Sequence, residues 1–269
     1  MQKKKQQKPE RVVKPFIRGK MIDRTLPGGA LKFFAFTALM MFVYFMSLIV
    51  SSIDSRALSI VINAAILLTT WLIFWQSGQA SGADAVSQGE IMYQRREKGR
   101  PVEAWEEEMC YHPLKGLIIA LVGSIPLVAI CAVLACIAQR QMTSIGVLPS
   151  WVSAFEARQE IAGGLLYYHQ EATLSLEAVL RLLVRVAIMP WQCIVGPDNK
   201  DAMLVLERLS PVLSLIPAVV YGVGYFFGTE VRAAVHGNIA LGKKKLQKKQ
   251  RRERKARQQA AHRGPEQLN

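Results

Sequence analysis

Long apolar runs alternate with polar stretches along this chain, on the length scale of a bilayer. Residues 33–50 (FFAFTALMMFVYFMSLIV) carry no charge. A tight polar link, Ser51-Ser52-Ile53-Asp54-Ser55-Arg56, leads into a second run at 57–75. Further runs occupy 117–138 and 212–227. A helix needs about 20 predominantly apolar residues to cross the hydrocarbon core. The pattern therefore predicts an all-α integral membrane protein whose four transmembrane helices form two hairpins. Its segments are a basic tail (1–32), a first hairpin (33–76), a polar connector (77–116), a second hairpin (117–228) and a second basic tail (229–269).

Polar residues inside the runs refine this picture. Asn63 is the strong hydrogen-bonding side chain of the second span, and an amide there is expected to face another helix and not lipid. Trp71 and Trp75 suit the membrane interface. Pro126, beside Gly123-Ser124, predicts a kink in the third span. Gly224 and Gly228 have the small-xxx-small spacing that lets helix backbones approach.

The segment 139–200 is less regular. Within it, 174–195 reads LSLEAVLRLLVRVAIMPWQCIV, with Glu177, Arg181 and Arg185 making a narrow polar stripe. An intramembrane Arg costs about 2.5–3.5 kcal/mol on insertion scales. The segment is read as an external amphipathic or re-entrant helix before the last span. Its stripe either snorkels to water or lines a polar groove in the bundle.

Charge sets the orientation. Lys and Arg number 34 against 20 Asp and Glu, a net charge of +14, and the excess sits mainly in the two tails. The positive-inside rule places both termini in the cytoplasm, which requires an even number of crossings. The connector is then cytoplasmic and 139–200 external. The basic N-terminal segment lacks a small-x-small cleavage site after its apolar run, so the first span is expected to remain as an anchor. The N-terminal tail, without a periodic apolar face, is expected to be mobile or to lie on the membrane surface. The four cysteines show no repeated CxxC pattern, so they do not report a redox compartment.

Candidate chemistry concentrates in the connector. Gly78, Gly82, Gly89, Gly99 and Pro101 are expected to break it into short pieces, though 83–98 can form one polar helix with Glu90 near Arg95 or Arg96. Just before the third span, Glu108, Cys110 and His112 are all possible zinc ligands. The pair Glu107-Glu108 followed by His112 resembles the paired glutamates of membrane-embedded CAAX-type proteases. That resemblance implies a membrane-embedded metal-dependent hydrolase. The family, however, carries Arg where His112 stands and has further His motifs in later spans, whereas His169, His236 and His262 fall outside the spans here. The alternative is a charged helix end stopped by Pro113. No phosphate loop, GxSxG, HExxH or paired CxxC motif occurs, so no cofactor is expected.

The C-terminal run contains Lys243, Lys244, Lys245, Lys248, Lys249, Arg251 and Arg252, which suit anionic lipid headgroups. Nucleic acid is a second ligand for such a run. No aromatic residue is interleaved to stack on bases. The reading that results is a non-catalytic membrane subunit, scaffold or assembly factor, docking a protein partner or a second copy of itself through the connector and tails. The alternative is a small permease working as an oligomer.

Overall fold

The computed structural model describes residues 11–51, 55–138, 176–196 and 199–262. Among these residues there are eight helices and no strand. Four of the helices are long and apolar enough to cross a membrane: α1 (Leu26–Ser51), α2 (Arg56–Glu97), α4 (Lys115–Ile137) and α7 (Lys200–Phe226). The others are α3 (Ala104–Glu108), α5 (Leu176–Ala187), α6 (Met189–Val195) and α8 (Gly228–His262). Pro149-Ser150-Trp151, a sequence that suggests an interfacial turn, lies outside the described residues.

Contacts along the long helices set their directions. Gly29 lies against Ile119 and Gly123 against Phe33, so α1 and α4 run parallel. Gly78 meets Tyr221 and Gly82 meets Tyr225, so α2 and α7 run parallel. Gly116 abuts Tyr225, while Leu134 shares a core cluster with Met203 and Leu206, so α4 and α7 are antiparallel. The four helices thus alternate in direction along the chain. The N-terminal segment, the connector and α8 all sit at one end of the bundle.

The packing does not follow the sequence neighbours throughout. The α4–α7 pair is the most extensive, α2 leans mainly on α7, and α1 rests mainly on α4. Contact between α1 and α2 is smaller than these and includes the packing of Phe74 against Phe33 and Phe36. The reason is where the small residues lie. A Cβ on Gly78 would stand 2.2 Å from the Tyr221 carbonyl oxygen, and one on Gly224 would stand 2.3 Å from that of Trp75. Backbone therefore lies on backbone where α2 crosses α7, a contact that only glycine permits. The outer faces of α1 and α2 stay apolar and exposed, at Leu39, Phe42, Ile49, Val61, Leu68 and Leu72, as suits lipid-facing ridges.

Two expectations change. The connector is not a chain of short pieces, because α2 continues unbroken from its apolar half to Glu97. Gly78, Gly82 and Gly89 sit inside the helix as contact points, and the helix ends at Glu97, just before Gly99 with φ +69°. The N-terminal tail, from Arg11 onward, is an extended strap hydrogen-bonded along the polar end of the bundle.

The α5–α6 pair bends by 86° at Ile188, which is buried. Val184 and Ile188 pack with Cys131, Leu134 and Leu206. Met189 then packs on Tyr44 and Leu67. The Arg56 guanidinium donates to the Val195 carbonyl oxygen at 3.2 Å. The pair enters the bundle and returns to the level where α2 begins.

Candidate functional site

Past Trp75, α2 extends about 30 Å at 1.5 Å per residue. This polar extension carries a platform built from the strap, α3 and the base of α8. The strap is stitched to it by main-chain hydrogen bonds. Val12 N donates to Ala233 O at 3.4 Å, Ile17 N to Gly89 O at 3.2 Å, Gly19 N to Tyr111 O at 3.0 Å and Lys20 N to Glu108 O at 3.3 Å. A Cβ on Gly19 would lie 2.2 Å from the Cys110 carbonyl oxygen, so the strap passes where a side chain does not fit. Beneath it, Phe16 meets Tyr111 edge-on, and Tyr111 stacks on Tyr225 at 5.5 Å between ring centroids. The Tyr111 hydroxyl donates to Phe226 O at 2.9 Å, which joins the connector to the end of α7.

Ion pairs lock these pieces. Lys115 Nζ lies 2.7 Å from Asp23 Oδ2 with both side chains buried, and it also donates to Met109 O at 3.1 Å. Glu90, 4% exposed, receives Arg232 Nη2 at 2.9 Å, and its Oε1 lies 2.7 Å from His236 Nε2. Glu90 lies about 22 Å beyond Trp75 along α2, outside the apolar segment. Burial raises its pKa, but hydrogen bonds and charge from Arg232 and His236 outweigh that and hold it below the ordinary carboxylate value. Arg95 and Arg96, expected near Glu90, reach across to Glu106 at 3.1 Å and Glu107 at 3.8 Å and pin α3. Glu103 and Glu106 cap α3 reciprocally.

A second carboxylate cluster lies within the apolar part of the bundle. Glu207, 2% exposed, accepts from Arg181 Nε at 3.1 Å and from Arg185 Nη2 at 2.8 Å. The stripe on α5 therefore points inward to α7. The side chain of Glu177 lies outside the described residues. Gln192 of α6 donates to the Arg185 carbonyl at 3.2 Å, across the bend.

The other sequence candidates separate. Asn63 is fully buried and donates to Ser59 O at 2.9 Å within its own helix. The suggested zinc ligands each have another engagement. Glu108 pairs with Lys20 at 2.7 Å, Cys110 Sγ donates to Glu106 O at 3.5 Å, and His112 Nδ1 accepts from Leu114 N at 3.3 Å. Burial raises the Cys110 thiol pKa, which disfavours the thiolate a metal would require. No three His, Cys, Asp or Glu side chains among the described residues are arranged to hold a metal. Gly224 lies in the α2–α7 crossing, and Gly228, at the start of α8, lies against Gly82 of α2.

The basic C-terminal run is helical as the distal part of α8, and residues 242–258 are exposed throughout. Lys243, Lys244, Lys245, Lys248, Arg251 and Arg252 make no ion pair among the described residues, and Lys249 has a loose one with Glu253 at 3.9 Å.

Sequence reasoning did not anticipate Asp23 or the roles of Glu90, Glu207, Arg232 and His236. It also missed Gly78 and Gly82, although SGQASG repeats the small-xxx-small spacing of Gly224 and Gly228 and was available as a signal. The partners of Glu90 stand 142 and 146 positions away, and no local pattern connects them. Compared with protein-family models, curated proteins and solved structures, the chain matches none.

Proposed function

We propose that this chain is a non-catalytic membrane subunit or scaffold that docks a protein partner on the platform. The observation that carries this reading is the continuity of α2. One unbroken helix leaves the apolar bundle and becomes the spine of the platform. Backbone contacts at Gly78 and Gly82 couple it to α7, and the Asp23 and Glu90 ion pairs tie the strap region, connector and α8 to that end. Such a platform is fixed relative to the bilayer and presents a preorganised surface, which lowers the ordering cost of binding. Ile91 and Trp105 are exposed on it, at 47% and 46%, and an exposed Trp suits an interface anchor.

The positive-inside rule makes the platform cytoplasmic, with both termini on that side and four crossings in two hairpins. The α5–α6 pair then enters from the opposite face and returns to it. The basic distal half of α8 meets anionic headgroups beside the partner, with nucleic acid as the second ligand for that arm. The test is purification in mild detergent with cross-linking from position 91 or 105. Co-purification of a partner or a second copy is expected, and Ile91→Ser with Trp105→Ala should abolish it. A chain that purifies alone, with the mass of one copy and no cross-link, overturns the reading.

A second reading, a small permease working as an oligomer, is favoured by one observation: the ion-paired cluster of Glu207, Arg181 and Arg185 where α5–α6 folds into the bundle. It predicts ion or solute flux in proteoliposomes that Glu207→Gln changes while assembly persists.

A further inference from the structure

Beyond the ring contacts of Phe74 with Phe33 and Phe36, a cleft separates α1 from α2 at the platform end. Its volume is about 450 Å³, within the range of about 300–1,000 Å³ usual for ligand sites. From Ser77 to Gln88 its α2 wall is about 16 Å tall at 1.5 Å per residue. That wall is polar, with Ser77, Ser81, Asp84 and Gln88 on one helix face. The opposite wall, on α1, is apolar at Phe33 and Phe36 and carries Lys32. The floor comes from α4 and α7, at Ile119 and Tyr221. Aromatic and aliphatic surface thus faces a ladder of hydroxyl, carboxylate and amide groups.

Two charges in this cleft are not used by the fold. Lys32 and Asp84 are exposed and make no ion pair or side-chain hydrogen bond among the described residues. By contrast, Lys115, which also lines the cleft, is committed to Asp23. The height matters too. The polar wall begins directly after Trp75, where α2 leaves its apolar run, so the cleft lies at headgroup level. Its apolar wall continues into the outward-facing Leu31 and Phe34 of α1, both exposed.

We propose that the cleft binds one phospholipid with a primary-amine headgroup, its phosphate at Lys32 and its ammonium at Asp84. The serine hydroxyls and Gln88 hydrogen-bond the ester and phosphate oxygens, and the acyl chains leave along Phe33 and Phe36. A purely anionic lipid would meet the repulsion of Asp84, and a quaternary amine has no N–H to donate to that carboxylate. The inference uses the membrane level assigned above and is independent of the docking role.

The test uses the purified, delipidated full chain in detergent, with lipid occupancy read by native mass spectrometry. Phosphatidylethanolamine, phosphatidylcholine, phosphatidylglycerol and soluble glycerophosphoethanolamine are titrated in parallel. One retained phosphatidylethanolamine per chain is expected, bound about tenfold more tightly than the choline lipid, as loss of a hydrogen bond to a charged group implies. Asp84→Asn should erase that preference, Lys32→Gln should weaken every phospholipid, and Gln88→Trp should obstruct the cleft. Unchanged thermal midpoints show that the variants fold. Equal retention of all lipids, unchanged binding in all three folded variants, or binding of the soluble ester as tight as the lipid would each overturn the proposal. Loss of a protein partner does not bear on it, because no partner is present in the assay.

Discussion

The molecule uses one ionic device twice, in two different solvents. Glu207 is held by Arg181 and Arg185 of α5, and Glu90 by Arg232 and His236 of α8. Each carboxylate is clamped by two bases spaced four apart on another helix, the spacing that puts them on one face. The clusters differ in their surroundings. Glu207 is itself 2% exposed and sits beside the apolar cluster of Leu206, Val184 and Leu134. Glu90 lies at the platform, beside a cavity of about 230 Å³ under the strap, with Arg232 partly exposed. The device that positions α5–α6 is therefore costly to break, whereas the one that fastens α8 to α2 yields more readily and responds to protons.

The largest effect is expected at the bundle cluster. Glu207→Ala leaves the buried Arg181 and the partly buried Arg185 without that carboxylate and should cost about 3–5 kcal/mol, read as a lowered unfolding midpoint in detergent. A loss no greater than at Glu90 would remove the contrast between the clusters. Next comes the crossing that joins the two regions. Gly78→Val forces a side chain into the Tyr221 backbone and should cost about 1–3 kcal/mol, with disulfide trapping between α2 and α7 reporting their separation.

Glu90→Gln keeps the shape but removes the charge, and should cost about 1–2 kcal/mol. Its pH dependence sharpens the comparison. The folded pKa of Glu90 lies below the ordinary 4.5, so its contribution is complete above 4.5 and is lost as pH falls through the lower folded value. The stability gap between wild type and Glu90→Gln should therefore close in acid. A gap that persists well below that value would show that the carboxylate's charge is not what holds α8. Smallest of all, Lys249→Ala breaks an exposed pair and should leave stability within about 0.5 kcal/mol. Replacing Lys243, Lys244 and Lys245 together should leave the fold intact and weaken binding to anionic vesicles by about 1 kcal/mol per residue.

Particular residues show where sequence reading succeeds. The runs at 33–50 and 57–75 fall within α1 and α2, and those at 117–138 and 212–227 match α4 and α7 to within one residue at their C-terminal ends, though α7 begins already at Lys200, because hydropathy over some twenty residues is a local sum. The spacing of Gly224 and Gly228 marks a contact face, while their partners Gly78 and Gly82, set in a polar stretch, suggest helix breaks. A glycine costs a helix only about 1 kcal/mol against alanine, and close backbone packing recovers it. Glu108, Cys110 and His112 mislead for the opposite reason. Their spacing is right for shared ligation, yet each side chain is engaged by a different neighbour, and Lys20 comes from the strap. The cleft between α1 and α2 was invisible because it results from two helices turning to other partners.

Sequence alone settles the helical class, the four long apolar segments and the concentration of positive charge near the tails. Each is a property of residues close together in the chain, so no partner need be known. The tertiary structure decides that α2 runs on as the spine of a platform, that α1 and α2 part, and that Glu90 and Glu207 are each clamped by two bases. Those outcomes depend on which distant surfaces pack, and an ion pair spanning 142 positions is a property of two places at once. Hydropathy carries no information about the second place until the chain has folded.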